Sequence, residues 1–536
     1  MSASTVYLTT PIYYVNDRPH IGHVYTTTVA DIYARYQRLC GRDVFFLTGT
    51  DEHAAKVVDA AAERGLTTQA WADQNARAFE ETFQHYGISN DDFIRTSQQR
   101  HVECVQRYVA ELLESGDVYL GEYEGWYDAG QEEYVPEAKA AEHDYRSPIN
   151  GKPLVRKREQ NYFFRLSTYA DVLLQLLEER PDFVSPPARR NEVIGRIREG
   201  LADVPISRSG ASDWGIRMPG DAKHVVYVWI DALFNYLTAI DSAERRRFWP
   251  PRVHFIAKDI LWFHAVIWPA LLLALRRRRH YTWVELPRTV YAHSFWISEG
   301  KKMSKSLGNF VDLEKLDRYA ANFSLDALRF FLATQGPLGT NDSDFSAARF
   351  TEVYNADLAN GVGNCVSRVA NMMRRYTQGR VGSPDAPVPA EAHCRAAAER
   401  AVQIYREAMN ALDLERAATV ALELVRAVDA YIEESKPFQL AKRAEQIPQV
   451  AAILYRCVEA LRIASLLLWP VMPGKMEELW RHFGWGYYTD TIARSGLGCF
   501  DEWVQWGQLE VGSGIEPPPP LFPRHEEAPP IPAGAA

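Results

Sequence analysis

The spacing of apolar residues changes several times along the chain, and each change marks an element. Val6 to Thr10 is a short run of β-type residues leading into Pro11-Ile12-Tyr13-Tyr14. The period then lengthens. Tyr25, Val29, Ile32, Tyr36 and Leu39 recur at steps of four and three, which predicts one buried helical face, with Gly41 as its stop. Val44-Phe45-Phe46-Leu47 is unbroken and apolar, as expected of a strand covered on both faces of a parallel sheet, and Asp51 stands just past it. Strand, helix and strand in this length predict a βαβ unit. Residues 116–220 lose that rhythm and carry turn residues and charges, so they read as an insertion. The β pattern returns at His224 to Ile230 and at Val253 to Ala257. An apolar helix with Trp262, His264, Val266 and Trp268 follows, then a strand from Tyr291 to Ser298. Four amphipathic segments, 347–378, 389–412, 414–436 and 446–469, predict a helical bundle, and the proline-rich tail 512–536 is expected to be disordered or locally polyproline II, or draped over the body.

Composition narrows the class without choosing a function. The chain is 47% hydrophobic and 24% charged, an ordinary globular balance, and its 536 residues exceed one hydrophobic core. Its net charge of −9 means that any nucleic-acid contact must use local basic patches. The six cysteines form no C-x-x-C pair, which points to a reducing compartment without a disulfide framework. Neither a secretory leader nor a membrane-length apolar run is legible, so the expected setting is cytoplasmic with no membrane.

Two short motifs carry candidate chemistry. His20-Ile21-Gly22-His23 falls where a strand gives way to a helix N-terminus, a position that gathers free N–H groups and favours phosphate. Gly22, without a side chain, permits close approach of a nucleotide. Lys302-Met303-Ser304-Lys305-Ser306, between Gly300 and Gly308, sets two lysines three apart on a glycine-flanked loop. Alone, each motif has a bland reading as loop histidines or surface lysines; their joint order and spacing is far rarer by chance.

Together the motifs resemble the signatures of class I aminoacyl-tRNA synthetases. The resemblance implies an α/β fold: a Rossmann-type parallel-sheet catalytic domain with an inserted connective domain, followed by an α-helical anticodon-binding bundle. The corresponding division is 1–115 and 221–290 for the two catalytic halves, 116–220 for the insertion, 291–345 for the lysine loop and stem-contact region, 346–500 for the bundle and 501–536 for the tail. Thr10-Pro11-Ile12-Tyr13-Tyr14-Val15-Asn16, Gly49-Thr50-Asp51-Glu52-His53, Trp229-Ile230-Asp231-Ala232 and Lys258-Asp259-Ile260-Leu261-Trp262-Phe263-His264 resemble the methionyl-tRNA synthetases in particular. The implied reaction activates L-methionine with ATP, releases pyrophosphate and loads tRNA(Met), initiator and elongator alike. By resemblance, His20, His23, Lys302 and Lys305 are catalytic. Gly22, Asp259, Met303, Ser304 and Ser306 join those four in binding ATP, with Mg²⁺ bridging the phosphates. Ile12, Tyr14, Trp229, Ala232, Tyr236, Ile260 and His264 would line the methionine pocket, and Asp51 would hold the ammonium. Two residues depart from the family pattern: Ala257 stands where Gly is usual, and Phe234 where relatives carry something smaller.

The insertion, about 105 residues, is short for the second hydrolytic domain that isoleucyl, valyl and leucyl enzymes need. Many methionyl enzymes hold zinc here, but no cysteine lies between Trp126 and Leu166 and His143 is the sole histidine, so no structural zinc is expected. Asn360, Asn364 and Arg368, stepping by four, match the family's anticodon readers, and Phe438 after Lys436-Pro437 stands where the family usually has Trp, able to stack on a base but without the indole donor. The tail stands where some relatives carry a dimerising appendage, so a monomer is expected. The alternatives at this stage are a non-catalytic tRNA-binding paralogue and a class I synthetase for another aliphatic amino acid.

Overall fold

The computed structural model describes residues 4–129, 133–135, 137–209, 214–298, 300–303, 309–390 and 392–525. Its central element is a six-stranded sheet built from β1 (Thr5–Tyr14), β2 (Asp43–Asp51), β3 (Asp92–Arg95), β4 (Val184–Ser185), β5 (Val253–Ala257) and β6 (Thr289–His293). The spatial order is β3-β2-β1-β5-β6-β4, with every neighbouring pair parallel. The chain therefore runs outward from β1 through β2 to β3, sets β4 at the opposite edge, then returns beside β1 with β5 and fills the gap with β6. That reversal opens a crevice beyond the C-terminal ends of β1 and β5, where open α/β sheets bind ligands.

Local chemistry sets these ends. Pro11 lacks an N–H, and the β1–β2 register slips between Thr9 and Ile12, a bulge that re-aims the last residues of β1. Gly49 in β2 is obligatory, because a Cβ there would sit 1.9 Å from the Ile94 carbonyl oxygen of β3. The predicted helix is α1 (Ile21–Leu39), which packs Val24, Val29 and Ile32 against the sheet and ends before Gly41 at φ +74°.

The insertion is built on a long antiparallel hairpin, Val118–Asp128 with Val155–Phe164. Its tip packs Trp126 on Val135, Ala140 and Leu154, and the Trp126 indole donates to Glu137 (2.9 Å). The strand expected to run to Ile230 stops at Val226. A helix, α2 (Val228–Thr238), takes over, and its residues other than Trp229 are buried all round. The helix expected around Trp262 begins with a π-helical stretch, Phe263–Ile267, and the strand expected over 291–298 is two: β6, which ends at His293, and Trp296–Ser298.

The bundle comprises α3 (Asn364–Thr377), α4 (His393–Asn410), α5 (Leu414–Ser435) and α6 (Ile447–Leu468), close to the periodicity read from sequence. The tail is docked as far as it is described: the Tyr354 hydroxyl donates to the Pro523 carbonyl, and the Asn355 side chain both donates to and accepts from the His525 backbone. Among the described residues, no helix is long and apolar enough to cross a membrane.

Candidate active site

A cavity of about 550 Å³ occupies the crevice. β1 contributes Ile12 and Tyr14, β2 contributes Asp51, and the turn before α1 contributes His20, Gly22 and His23. α2 contributes Trp229, Ala232 and Tyr236, and the segment after β5 contributes Asp259, Ile260 and His264. All of these were sequence candidates. The cavity is also lined by residues sequence reasoning missed, among them Tyr13, Thr26, His293, Trp296 and Phe310. His293 ends β6, so the strand-end rule would have found it; Phe310 lies four residues past Ser306 and carried no signal.

His20 is the N-cap of α1. Its Nδ1 accepts the Gly22 N–H (3.1 Å), and the His23 Nδ1 accepts the His20 N–H (3.2 Å), a reciprocal capping box made by two imidazoles. With both Nδ1 atoms accepting, a neutral ring must carry its proton on Nε2. Each histidine thus retains one donor even without a charge. The rings stack at 3.9 Å. Desolvation, and after it the neighbouring His20, hold the His23 pKa well below its ordinary value. Gly22 has a reason beyond the one inferred from sequence: a Cβ would lie 3.0 Å from His20 Cε1 and press on the capping ring itself.

The other end of the cavity is apolar and aromatic. The Trp229 ring stacks on Phe263 at 3.9 Å and meets Tyr14 edge-on at 6.1 Å. His264 Nδ1 donates to the Ile260 carbonyl (3.0 Å), so its Nε2 accepts from the Tyr236 hydroxyl (2.7 Å). Burial pushes the His264 pKa down to about 4, leaving a neutral wall. Asp51 is buried on this wall. Asp259 lies in the turn just past β5, and burial raises its pKa. Ala257 lines the cavity, whereas Phe234 does not: its ring packs on Tyr108 and Trp268 in the core.

The lysine loop is described at its two flanks. Lys301–Lys302 is an exposed strand paired with Trp296–Ser298, and neither Lys302 nor Met303 lines the cavity. Ser304, Lys305 and Ser306 lie outside the described residues. The loop nevertheless returns onto the imidazole turn. His20 forms a β-bridge with Asp312, the Ile21 N–H donates to the Val311 carbonyl, and Phe310 meets the His20 ring edge-on at 5.4 Å.

In the bundle, Asn360 and Asn364 are exposed, and Phe438 is exposed on the short helix Pro437–Leu440. Arg368 is paired with Asp429 (3.5 Å) and Glu433. The uniform pitch assumed for this stripe does not hold. Asn360 belongs to a π-helical stretch, Tyr354–Gly363, where Gly361 and Gly363 weaken the α pattern and Phe522 of the tail lies 3.5 Å from the position of a Gly363 Cβ.

Comparison with known proteins gives concordant matches. The family described as tRNA synthetases class I (M) matches residues 6–143 and 140–370, and the Anticodon-binding domain of tRNA ligase matches 393–503. A methionine–tRNA ligase of Streptomyces coelicolor is 40% identical, covering 98% of both chains. One of Bacillus subtilis is 38% identical over 98% of this chain and 78% of its own. The structure of Mycobacterium tuberculosis methionyl-tRNA synthetase in complex with methionyl-adenylate superposes with a TM-score of 0.86 at 36% identity, covering 97% of this chain and 100% of that one.

Proposed function

The chain belongs to the class I methionyl-tRNA synthetases, and from that premise we propose how its cavity performs the work of a methionine–tRNA ligase. L-methionine enters with its thioether between Trp229, Tyr236 and His264. Sulfur–aromatic contact contributes roughly 0.3–1.5 kcal/mol there, and a neutral His264 avoids placing a cation beside an apolar chain. Asp51 holds the ammonium, and Ile12, Tyr14, Ala232 and Ile260 complete the pocket. ATP lies along the crevice, with its ribose by Asp259 and its phosphates at the α1 N-terminus. The methionine carboxylate attacks the α-phosphorus, the bond to the bridging oxygen breaks, and pyrophosphate leaves. Negative charge grows on the phosphoryl oxygens, where the His20 and His23 Nε2–H groups and the helix N-terminus stabilise it. Lys302 and Lys305, with Met303, Ser304 and Ser306, bind the phosphates and stabilise the leaving pyrophosphate. Mg²⁺, when bound with the nucleotide, would add charge neutralisation on the phosphates. With Asp51 committed to the ammonium, Asp17 and Asp259 are the carboxylates on the cavity wall that would hold it, beside the phosphates of the nucleotide.

The observation that carries this reading is that a single cavity joins the two capped imidazoles to the aromatic pocket and Asp51. The test is exchange of labelled pyrophosphate into ATP. Exchange that needs methionine and fails with leucine is expected; no exchange with methionine would sink the reading, and exchange with leucine would reassign the pocket.

The 3′-terminal hydroxyl of tRNA(Met), initiator or elongator, then attacks the carbonyl of the adenylate, the methionyl group passes to the tRNA and AMP leaves; the anticodon is read by Asn360, Asn364, Arg368 and Phe438. We propose further that the insertion knuckle works without structural zinc, held by the Trp126 cluster, and that the enzyme acts as a cytoplasmic monomer.

A further inference from the structure

Residue 51 ends β2, and the two residues after it point into clamps. Glu52 accepts from Arg95 (2.7 and 3.1 Å) and Thr50 (2.9 Å), and its N–H donates to Thr96 Oγ1 (2.9 Å). His53 Nδ1 lies 2.6 Å from Asp231 Oδ2. The other oxygen of Asp231 lies 2.6 Å from His101 Nε2, whose far nitrogen meets Thr238 Oγ1 at 3.2 Å. Asp231 and His101 are fully buried. Burial opposes the charge of Asp231, but His53 and His101 together bring its pKa below the usual value. A buried charge of this kind is weak evidence for added stability, since an apolar side chain of similar size often serves as well. What it provides is a fixed geometry. Asp231 is on α2, two residues after Trp229, next to Ala232 and five before Tyr236, so it joins the helix that walls the pocket to the turn that follows Asp51.

We propose that Asp231 is a positioning residue for amino-acid recognition: through His53 it locks the turn after β2, so that Asp51 faces the substrate ammonium at a fixed distance from Trp229 and Tyr236. This rests on the role given to Asp51 above. Asp231 touches no substrate in this scheme; the hydrogen bonds of Glu52 and His53 leave Asp51 as the turn's one residue on the cavity wall.

The test uses two competitors of methionine in the exchange assay. L-Methioninol keeps the ammonium and thioether; 4-(methylthio)butanoate keeps the thioether and carboxylate but lacks the ammonium. In Asp231→Asn and in His53→Gln, inhibition by methioninol should weaken by about tenfold, the scale expected when a binding group is misplaced. Inhibition by the des-amino acid and the KM for ATP should change by less than about twofold. Equal losses for both competitors, or a matching loss for ATP, would mean general disruption and overturn the proposal. Asp51→Asn separates the two layers. If it leaves methioninol unaffected, the ammonium role of Asp51 fails and the proposal fails with it. If it weakens methioninol while neither other variant does, only the positioning role fails. His53, at the rim of the clamp, reads the same link should Asp231→Asn not fold.

Discussion

At the scale of single residues, the imidazole turn carries the most consequence per atom. A helix is usually capped by a hydroxyl or carboxylate; here His20 and His23 do that work with Nδ1. Gly22 makes the arrangement fit. Gly22→Ala should push the capping ring and slow methionine-dependent pyrophosphate exchange by about 10²-fold, the scale of losing one preorganised donor. Methionine affinity, measured by equilibrium binding without ATP, should hardly move, and a parallel loss of methionine binding would contradict the division of the cavity into a phosphate end and a thioether end. The two departures from the family pattern differ in weight. Ala257 borders the cavity and bears on nucleotide fit; Phe234 is turned into the core and bears on packing alone.

At the scale of elements, the parallel sheet has both faces covered, so polar groups on its strands must be neutral and bonded. His254 of β5 donates to Thr9 Oγ1 (2.6 Å) and accepts from the Trp268 indole (3.3 Å). Burial lowers its pKa well below 6.5, and lowers those of His264 and His293 to about 4. These rings are neutral in the folded protein while the unfolded chain takes up protons below its ordinary histidine pKa. Stability is therefore complete above about pH 6.5 and falls as the pH drops toward 4, by on the order of 3 kcal/mol each for His264 and His293, with His254 acting in the same direction. Urea unfolding at stepped pH should show this decline, and a flat profile from pH 7 to 4.5 would refute neutral burial. The elements themselves were legible where one periodicity governs: α1, β2 and the four bundle helices follow from spacing alone, because a single face decides each. The π-helical stretches, the helix that begins at Val228 and the two-residue β4 were not legible. Their geometry answers to partners remote in sequence, such as Tyr291 for Ser185 and Phe522 for Gly363. In the site, Trp229 and Asp51 could be read from motif strings, but the grip of His53 and His101 on Asp231 spans 178 and 130 residues and leaves no local trace.

At the scale of the whole molecule, the catalytic sheet and the bundle are joined by a buried ion pair. Arg329, on the helix Leu325–Gln335, donates to Asp31 of α1 (2.6 Å) and to the carbonyls of Val471 (3.0 Å) and Pro470 (3.3 Å), just past α6. Both side chains are essentially inaccessible, at 2% and 0%. Arg329→Ala would leave Asp31 with Arg35 (2.8 Å) as its remaining cation and would open the carbonyls of Val471 and Pro470, and should lower stability by about 1.5–3 kcal/mol. Arg416→Ala, which breaks a half-exposed pair with Glu423, should cost about 0–1 kcal/mol. Comparable losses in denaturant titrations of the two variants would deny Arg329 its special place.

The edge strand β4 belongs in sequence to the insertion but in space to the catalytic sheet, where Val290 donates to the Phe183 carbonyl (2.7 Å) and Ser185 pairs with Tyr291. The insertion is thus no detachable cassette. Anyone trimming this protein to a minimal nucleotide-activating core has to rejoin the chain upstream of Phe183, because a cut that removes everything to residue 220 would bare the flank of β6 and offer it to other chains as a template for aggregation.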